Sequence, residues 1–256
     1  MELLRYRGLL YMLVVRDIKI RYKQSIMGFM WAILMPIVIV LAGIVVKKAI
    51  AVFSGREMEL ADIVTVSVKS LPWAFFVGAL KFSTNSLLSN RSLVTKIYFP
   101  KEVCPLAAVL SSLFDFFIAS LALTFFLVIV GVGISPYLIW VPVLLIIMVG
   151  LTAGMGMIFS CANLFFRDVK YIVEIILTFA IFFTPVFYEA SDFKNWKKFI
   201  LLNPIAPVLE GFNSAIVLKQ NPELAWLGYS TVWSLAGLFI AWNIFYRLEH
   251  KFAERI

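Results

Sequence analysis

Four basic residues stand close together near the start of the chain: Arg16, Lys19, Arg21 and Lys23. Guanidinium and ammonium groups bind phosphate oxygens, the first through a planar fork and the second as a point charge. The cluster could hold an anionic phosphate group of a ligand. It could equally bind lipid phosphates and set the orientation of the chain in a membrane. Both interpretations stay open for Arg21 and Lys23.

Three ionisable residues, Lys81, Asp115 and Glu174, interrupt apolar runs. Ionisable groups are costly in lipid, so each is a candidate functional residue. A proton-coupled carrier would use them as relays. Lys81 and Glu174 could instead snorkel to an interface. Asp115 lies deepest, where a structural hydrogen bond and a lining role are both possible.

Sequence motifs for catalysis are absent. The one histidine, His250, is in the charged C-terminal tail, and there is no H-E-x-x-H, G-x-S-x-G or G-x-x-x-x-G-K-[ST]. Cys104 and Cys161 form no paired metal motif, and we expect no disulfide. We therefore expect no catalytic residue, no metal site and no cofactor bound by this chain.

Composition indicates a membrane protein. Of 256 residues, 62% are hydrophobic and 15% are charged, whereas soluble domains are about 45–50% apolar and about 25% charged. The net charge of +8 comes from bases beside the apolar runs. It is explained by topology and anionic lipid, so we expect no nucleic-acid partner.

Six apolar segments are long enough to span a bilayer, which needs roughly 20 helical residues. They are residues 28–46, 64–88, 103–132, 137–165, 171–187 and 225–246. Lys and Arg crowd the segments before the first span, after the second, before the fifth and after the last. Because short cytoplasmic loops carry the excess of bases, both termini are predicted to be cytoplasmic.

Three further segments have their own character. Residues 1–23 are predicted to form an amphipathic interface helix with Tyr11, Val15, Ile18 and Tyr22 on one face. Residues 90–101 form a compact cytoplasmic connection, either a linker or a docking surface. Residues 188–224 contain short apolar pieces broken by proline, which indicates re-entrant or interfacial helices outside.

Aromatic residues make up 16% of the chain and concentrate near span ends. Interfacial belts explain most of them. Aromatic faces are also platforms for sugar rings. The candidates for such a path, on the outward side, are Trp73, Phe75, Phe76, Phe187, Tyr188, Phe193 and Trp196.

Four stretches carry a family resemblance. RDIKIRYKQSIMGFMW (16–31, running on to Pro36), LVTKIYFPKEVCP (93–105), FFRDVKYIVEIILTFAIFFTPVFY (165–188) and NPIAPVLEGF (203–212) occur in the expected order. Together they resemble the polysaccharide-export permeases of ATP-binding-cassette transporters, a type-2 exporter family. The family usually has Leu before the glycine at position 28, where this chain has Met27.

The resemblance implies one all-α transmembrane domain over residues 1–256, with six spans, an interface helix and re-entrant helices. It implies a homodimer in the bacterial inner membrane with two cytoplasmic ATPase subunits, called Wzt in O-antigen systems. ATP and Mg would bind in those partners. The cargo would be a lipid-linked polysaccharide such as O-antigen.

The resemblance also implies residue roles. The substrate entrance, where a pyrophosphate would bind, would include Arg16, Arg21, Lys23, Met27 and Gly28. The ATPase would contact the interface helix and the connection after the second span, at Arg91, Lys96, Tyr98, Phe99 and Lys101.

Three alternatives remain. One is a secondary transporter or channel that uses Lys81, Asp115 and Glu174 without a motor. Another is a membrane enzyme acting on lipid-linked sugars, against which the lack of an acidic or histidine constellation argues. The third is a drug or lipid exporter permease of the same fold.

Overall fold

A computed structural model describes residues 5–23, 30–53, 55, 57–193 and 195–255. Within these ranges the regular structure is helical, without strands. The helices are α1 (Arg7–Lys23), α2 (Met30–Phe53), α3 (Leu60–Ser89), α4 (Arg91–Lys96), α5 (Val103–Val130), α6 (Trp140–Phe165), α7 (Val169–Phe183), α8 (Lys197–Leu201), α9 (Ala206–Ile216) and α10 (Leu224–Arg255). Short 3-10 turns at Pro136–Ile139 and Ala190–Asp192 precede α6 and α8.

Five helices are long and apolar enough to cross a membrane: Met30–Phe53, Leu60–Ser89, Val103–Val130, Pro136–Phe165 and Leu224–Leu248. These five helices confirm the prediction of a multi-pass helical membrane protein. Each of the five overlaps a span predicted from the sequence. The second forms a continuous helix although Lys69 and Lys81 interrupt its apolar run.

The predicted fifth span, residues 171–187, is shorter in the structure. Helix α7 has 15 residues, so at about 1.5 Å per residue it extends only about 22 Å, less than a hydrocarbon core of about 30 Å. It ends where Thr184 takes extended geometry (ψ 138°). Thr184 precedes Pro185, and proline disfavours helical geometry in the residue before it.

Helix α3 is the most buried of the five long helices and contacts α2, α5, α6 and α9. Its first turn is capped where the backbone N–H of Glu59 donates to Asp62 Oδ2 at 3.1 Å. Helices α6 and α10 approach closely, since a Cβ added at Gly154 would lie 2.8 Å from the carbonyl carbon of Gly237. Small residues at such contacts let membrane helices pack backbone to backbone.

The side of α1 that packs against the protein differs from the apolar face named from the sequence. Tyr11 is 71% exposed, whereas Leu13 is buried. Its neighbours at helical spacing pack with it in a core that includes Phe99 and Val103: Tyr6, Leu9, Leu10 and Val14. The first half of α1 is apolar on most sides, so spacing alone did not decide which stripe meets the protein.

Candidate functional site

The end of α1 is joined to α5 by a polar cluster. Arg21 pairs with Asp115 through Nη1, and its Nη2 donates to Ser111 Oγ at 2.8 Å and Ser112 Oγ at 3.3 Å. The phenol of Tyr22 donates to the other oxygen of Asp115. Asp115 therefore has structural hydrogen bonds, and a residue proposed to bind phosphate already holds a carboxylate.

This cluster closes one end of a cavity of about 330 Å³ between α1, α2, α3 and α5. Arg21, Tyr22, Ser112 and Asp115 line the polar end. The remaining wall is apolar and includes Trp31, Pro36, Leu71, Phe75, Gly78 and Phe116. Asp115 thus takes both of the roles left open by the sequence, because it is hydrogen-bonded and also lines a cavity.

Tyr22 stays protonated in this setting. Its burial raises the pKa of the phenol, and the hydrogen bond to the Asp115 carboxylate raises the pKa further. A phenol whose pKa lies above its ordinary value of about 10 remains a hydrogen-bond donor throughout the physiological range. Loss of the phenol proton therefore does not break this bond near neutral pH.

Arg16 serves a different contact. Its Nη2 donates to Asp17 Oδ1 at 2.7 Å and to Asn90 Oδ1 at 2.6 Å. The Asn90 amide in turn donates to the carbonyl oxygen of Ser86 at 2.8 Å. Arg16 thereby bridges the interface helix to the junction of α3 and α4.

Two of the proposed entrance residues, Arg16 and Lys23, line one groove along α1 together with Lys19, whereas Arg21 lines the cavity beside Asp115. Arg16 and Arg21 each have protein partners at different points along α1, while Lys23 is exposed. Met27 and Gly28 lie outside the described residues. Both arginines form contacts that join α1 to other helices of the chain.

The five proposed ATPase-coupling residues divide by burial. Arg91 and Lys96 are exposed, and Tyr98 is 82% exposed. Phe99 is fully buried and Lys101 is 7% exposed. Lys101 Nζ lies 5.8 Å from the centre of the Tyr98 ring. The exposed three are available to a soluble partner, whereas Phe99 packs inside the chain.

The proposed glycan-path aromatics do not form one platform. Four of them are core residues at 3–5% exposure: Trp73, Phe75, Phe76 and Phe187. Tyr188 is half-buried and stands edge-on to Phe193 at 5.3 Å. Trp196 is 64% exposed, and its ring is 5.5 Å from that of Phe199. Neighbouring helical positions such as 75 and 76 point in different directions, so they cannot all face one path.

Two buried lysines were missed as candidate residues. Lys69 is fully buried, and its Nζ donates to Glu210 Oε1 at 3.0 Å and to the Tyr188 carbonyl at 2.8 Å. Lys47 is 1% exposed and lies 3.4 Å from Asp62 and 3.8 Å from Asp192. Lys69 interrupts an apolar run, and that signal alone could have identified it. Lys81 and Glu174, in contrast, are exposed on α3 and α7.

Known proteins resemble this chain along its whole length. An "O-antigen export system permease protein RfbA" from Myxococcus xanthus is 29% identical over 267 residues, covering 100% of this chain and 98% of that protein. A protein of the same description from Klebsiella pneumoniae is 27% identical over 253 residues, covering 96% of this chain and 94% of that protein.

The family pattern described as "ABC-2 type transporter" matches residues 8–217. That range begins in the interface helix α1, includes helices α2 to α8, and extends to the end of α9. It therefore includes the Arg21–Asp115 cluster, the exposed connection at Tyr98 and both buried lysines. The chain belongs to the ABC-2 type transporter family.

Proposed function

We propose that the chain is the membrane permease subunit of an ATP-driven exporter that moves lipid-linked polysaccharide of the O-antigen type across the bacterial inner membrane. The observation that carries this proposal is the end-to-end similarity to O-antigen export permeases at 27–29% identity. This similarity extends over the whole length of the chain and is not confined to one motif.

The working assembly is a homodimer with two cytoplasmic, Wzt-like ATPase subunits that bind ATP and Mg. The exposed Arg91, Lys96 and Tyr98 support this, since an aromatic flanked by charges suits an interface anchor. The Arg16–Asn90 hydrogen bond links that surface to α1. Movement at the ATPase contact would therefore reach the interface helix directly.

The topology is six spans with both termini in the cytoplasm. In this proposal α7 and the extended residues after it make the fifth crossing. The segment 188–224 enters the outer leaflet as a re-entrant element. Support comes from α9, whose residues Val208, Leu209 and Phe212 are at most 2% exposed. Backbone at membrane depth must be covered by protein in this way.

The path for glycan lies between the two copies, along the first and fifth spans. Both helices leave most of their apolar side chains exposed in the single chain, as at Val38 (58%) and Phe179 (59%). ATP hydrolysis would rock the copies apart. The exposed aromatic Trp196 would meet sugars at the outer end.

The first test is co-expression with the ATPase encoded nearest this gene, followed by purification, native mass measurement and ATPase assay in lipid. We expect a complex of two permeases and two ATPases whose hydrolysis depends on the membrane. Export of polysaccharide should stop when the ATPase is inactivated.

A second measurement tests the topology. In a background without Cys104 and Cys161, single cysteines at Arg167 and Asp192 should react with impermeant reagents from opposite sides. If the chain purifies alone and its flux follows an ion gradient, the permease proposal is wrong. The carrier alternative with Lys81, Asp115 and Glu174 would then replace it.

A further inference from the structure

The cavity between α1, α2, α3 and α5 is graded from polar to apolar along the helices. Asp115 and Phe82 lie at the polar end, and Ala119 and Leu71 lie at the other. From Phe82 to Leu71 the helix rises about 16 Å at 1.5 Å per residue, roughly half of a hydrocarbon core of about 30 Å. The cavity therefore has the depth and polarity of one bilayer leaflet.

Among the described residues that line the polar end, Arg21 carries a positive charge and Asp115 a negative one, and these two charges cancel. Each keeps some access, with side-chain exposures of 15% and 25%. The bonds to Asp115, Ser111 and Ser112 use three N–H donors of Arg21, out of the five in a guanidinium. Asp115 accepts from Arg21 and Tyr22, and a carboxylate has about four acceptor sites.

This charge pattern discriminates between headgroups. Asp115 would repel a pyrophosphate or other polyanion and so offset the attraction of Arg21. A zwitterionic headgroup satisfies both residues, since its phosphate can accept from Arg21 while its ammonium donates to Asp115. The Phe82 ring, 3.8 Å from the guanidinium carbon, covers one face of Arg21 and directs its donors sideways.

We propose that the cavity binds one zwitterionic phospholipid of the phosphoethanolamine class, with one acyl chain between α2, α3 and α5. We assign this lipid to the cytoplasmic leaflet, and that assignment rests on the topology given in the proposed function. The volume of about 330 Å³ is within the about 300–1,000 Å³ of small-molecule sites. It holds the headgroup and the first part of one chain, and the rest of the lipid lies in the bilayer.

The sharpest variant is Gly78→Leu. Gly78 lines the cavity, and a Cβ added there meets nothing within 4 Å, so a leucine side chain can enter the cavity from this position. Gly228→Leu on α10 is the matched control, because its Cβ also meets nothing within 4 Å and it does not line this cavity. Both replace a helical glycine, so the helix propensity changes alike.

The experiment reconstitutes the full permease–ATPase complex in nanodiscs of phosphatidylethanolamine, phosphatidylglycerol or phosphatidylcholine and counts retained lipid by native mass spectrometry. We expect one phosphatidylethanolamine per permease chain, retained at least tenfold more often than phosphatidylglycerol. Gly78→Leu should abolish retention and Gly228→Leu should not. Asp115→Asn should reduce the preference for the ammonium headgroup.

Several results would overturn this proposal. Equal retention of phosphatidylglycerol would remove the role of Asp115 as an ammonium acceptor. Retention that survives Gly78→Leu would place the lipid elsewhere. Displacement by polyprenyl pyrophosphate, with the same dependence on Gly78, would assign the cavity to the transport substrate. Lipid counts are independent of ATPase activity and export, so failure here is distinguishable from failure of the exporter function.

Discussion

Lys69 Nζ lies 3.0 Å from Glu210 Oε1, inside the protein, and joins α3 to α9. Lys69 is fully buried, and the same Glu210 oxygen accepts the backbone N–H of Ala190 at 2.9 Å. The Glu210 carboxylate thus joins Ala190, at the start of segment 188–224, and Glu210 itself, in the middle of that segment, to helix α3. Separating this pair would leave a lysine charge without compensation, so the segment and α3 should move together.

Lys69→Ala should destabilise the protein by about 3 kcal/mol, because it leaves the Glu210 carboxylate without its cation in a mostly buried site. Glu210 keeps 22% side-chain exposure, which places the loss at the low end for buried pairs. The measurement is thermal unfolding of the purified complex in detergent. Lys69→Met combined with Glu210→Gln should recover much of the loss.

The matched control for that experiment is the ion pair between Lys197 and Glu223, whose side chains are 36% and 58% exposed. Lys197→Ala should change stability by about 0–1 kcal/mol, as exposed pairs do. Equal losses for Lys69→Ala and Lys197→Ala would contradict the anchoring role of the buried pair.

Gly154→Val should prevent normal packing of α6 against α10. The added Cβ would lie 2.8 Å from the Gly237 carbonyl carbon and 2.9 Å from the Leu238 nitrogen, and backbone atoms cannot swing aside as a flexible side chain can. We expect a loss beyond the about 1–3 kcal/mol of ordinary overpacking, measured as the yield of monodisperse protein.

Gly237→Ala tests the same helix contact from its other side and should be tolerated, since a Cβ there meets nothing within 4 Å. Similar yields for Gly154→Val and Gly237→Ala would show that the helices are not packed backbone to backbone at this point.

Tyr98→Ala and Phe99→Ala should fail in different ways although they are adjacent. Tyr98 is 82% exposed, so its loss should leave the fold intact and weaken ATPase binding by about tenfold or more, as interface anchors do. Phe99 is fully buried, so its loss should cost about 3–5 kcal/mol of stability. Titration of the ATPase onto reconstituted permease, with melting curves for both variants, separates the effects. Normal ATPase affinity in a folded Tyr98→Ala protein would exclude this residue from the interface.

Arg16→Ala should loosen α1 from the α3–α4 junction, because it removes the 2.6 Å hydrogen bond to Asn90. Arg16 is 41% exposed, so solvent screening holds the expected loss to about 1 kcal/mol. Hydrogen exchange over residues 7–23 should become faster. Lys19→Ala, at an exposed position of the same helix, should leave the exchange unchanged. Unaltered exchange in Arg16→Ala would mean that the apolar contacts of Leu13 and the Arg21–Asp115 cluster hold α1 without the bond to Asn90.

The amino-acid sequence alone was sufficient to predict a multi-pass helical membrane protein and the position of five long spans, because runs of apolar residues have no other stable environment. The family followed from the order of four motifs. The sequence did not decide which stripe of α1 meets the protein, since Leu13 and Tyr11 are both apolar enough to be buried. It also did not predict the early end of α7, although Pro185 was the available signal.

The pairings were decided only by the tertiary structure. Lys69 meets Glu210, and Arg21 meets Asp115, across separations of 141 and 94 residues. Hydrophobic periodicity describes one helix at a time and carries no information about which helix lies opposite. The role of an ionisable residue in an apolar run depends on the side chains that lie opposite it. Asp115 lies opposite Arg21 and Tyr22 and joins α1 to α5. The same carboxylate facing an open path would instead serve ion or proton transport.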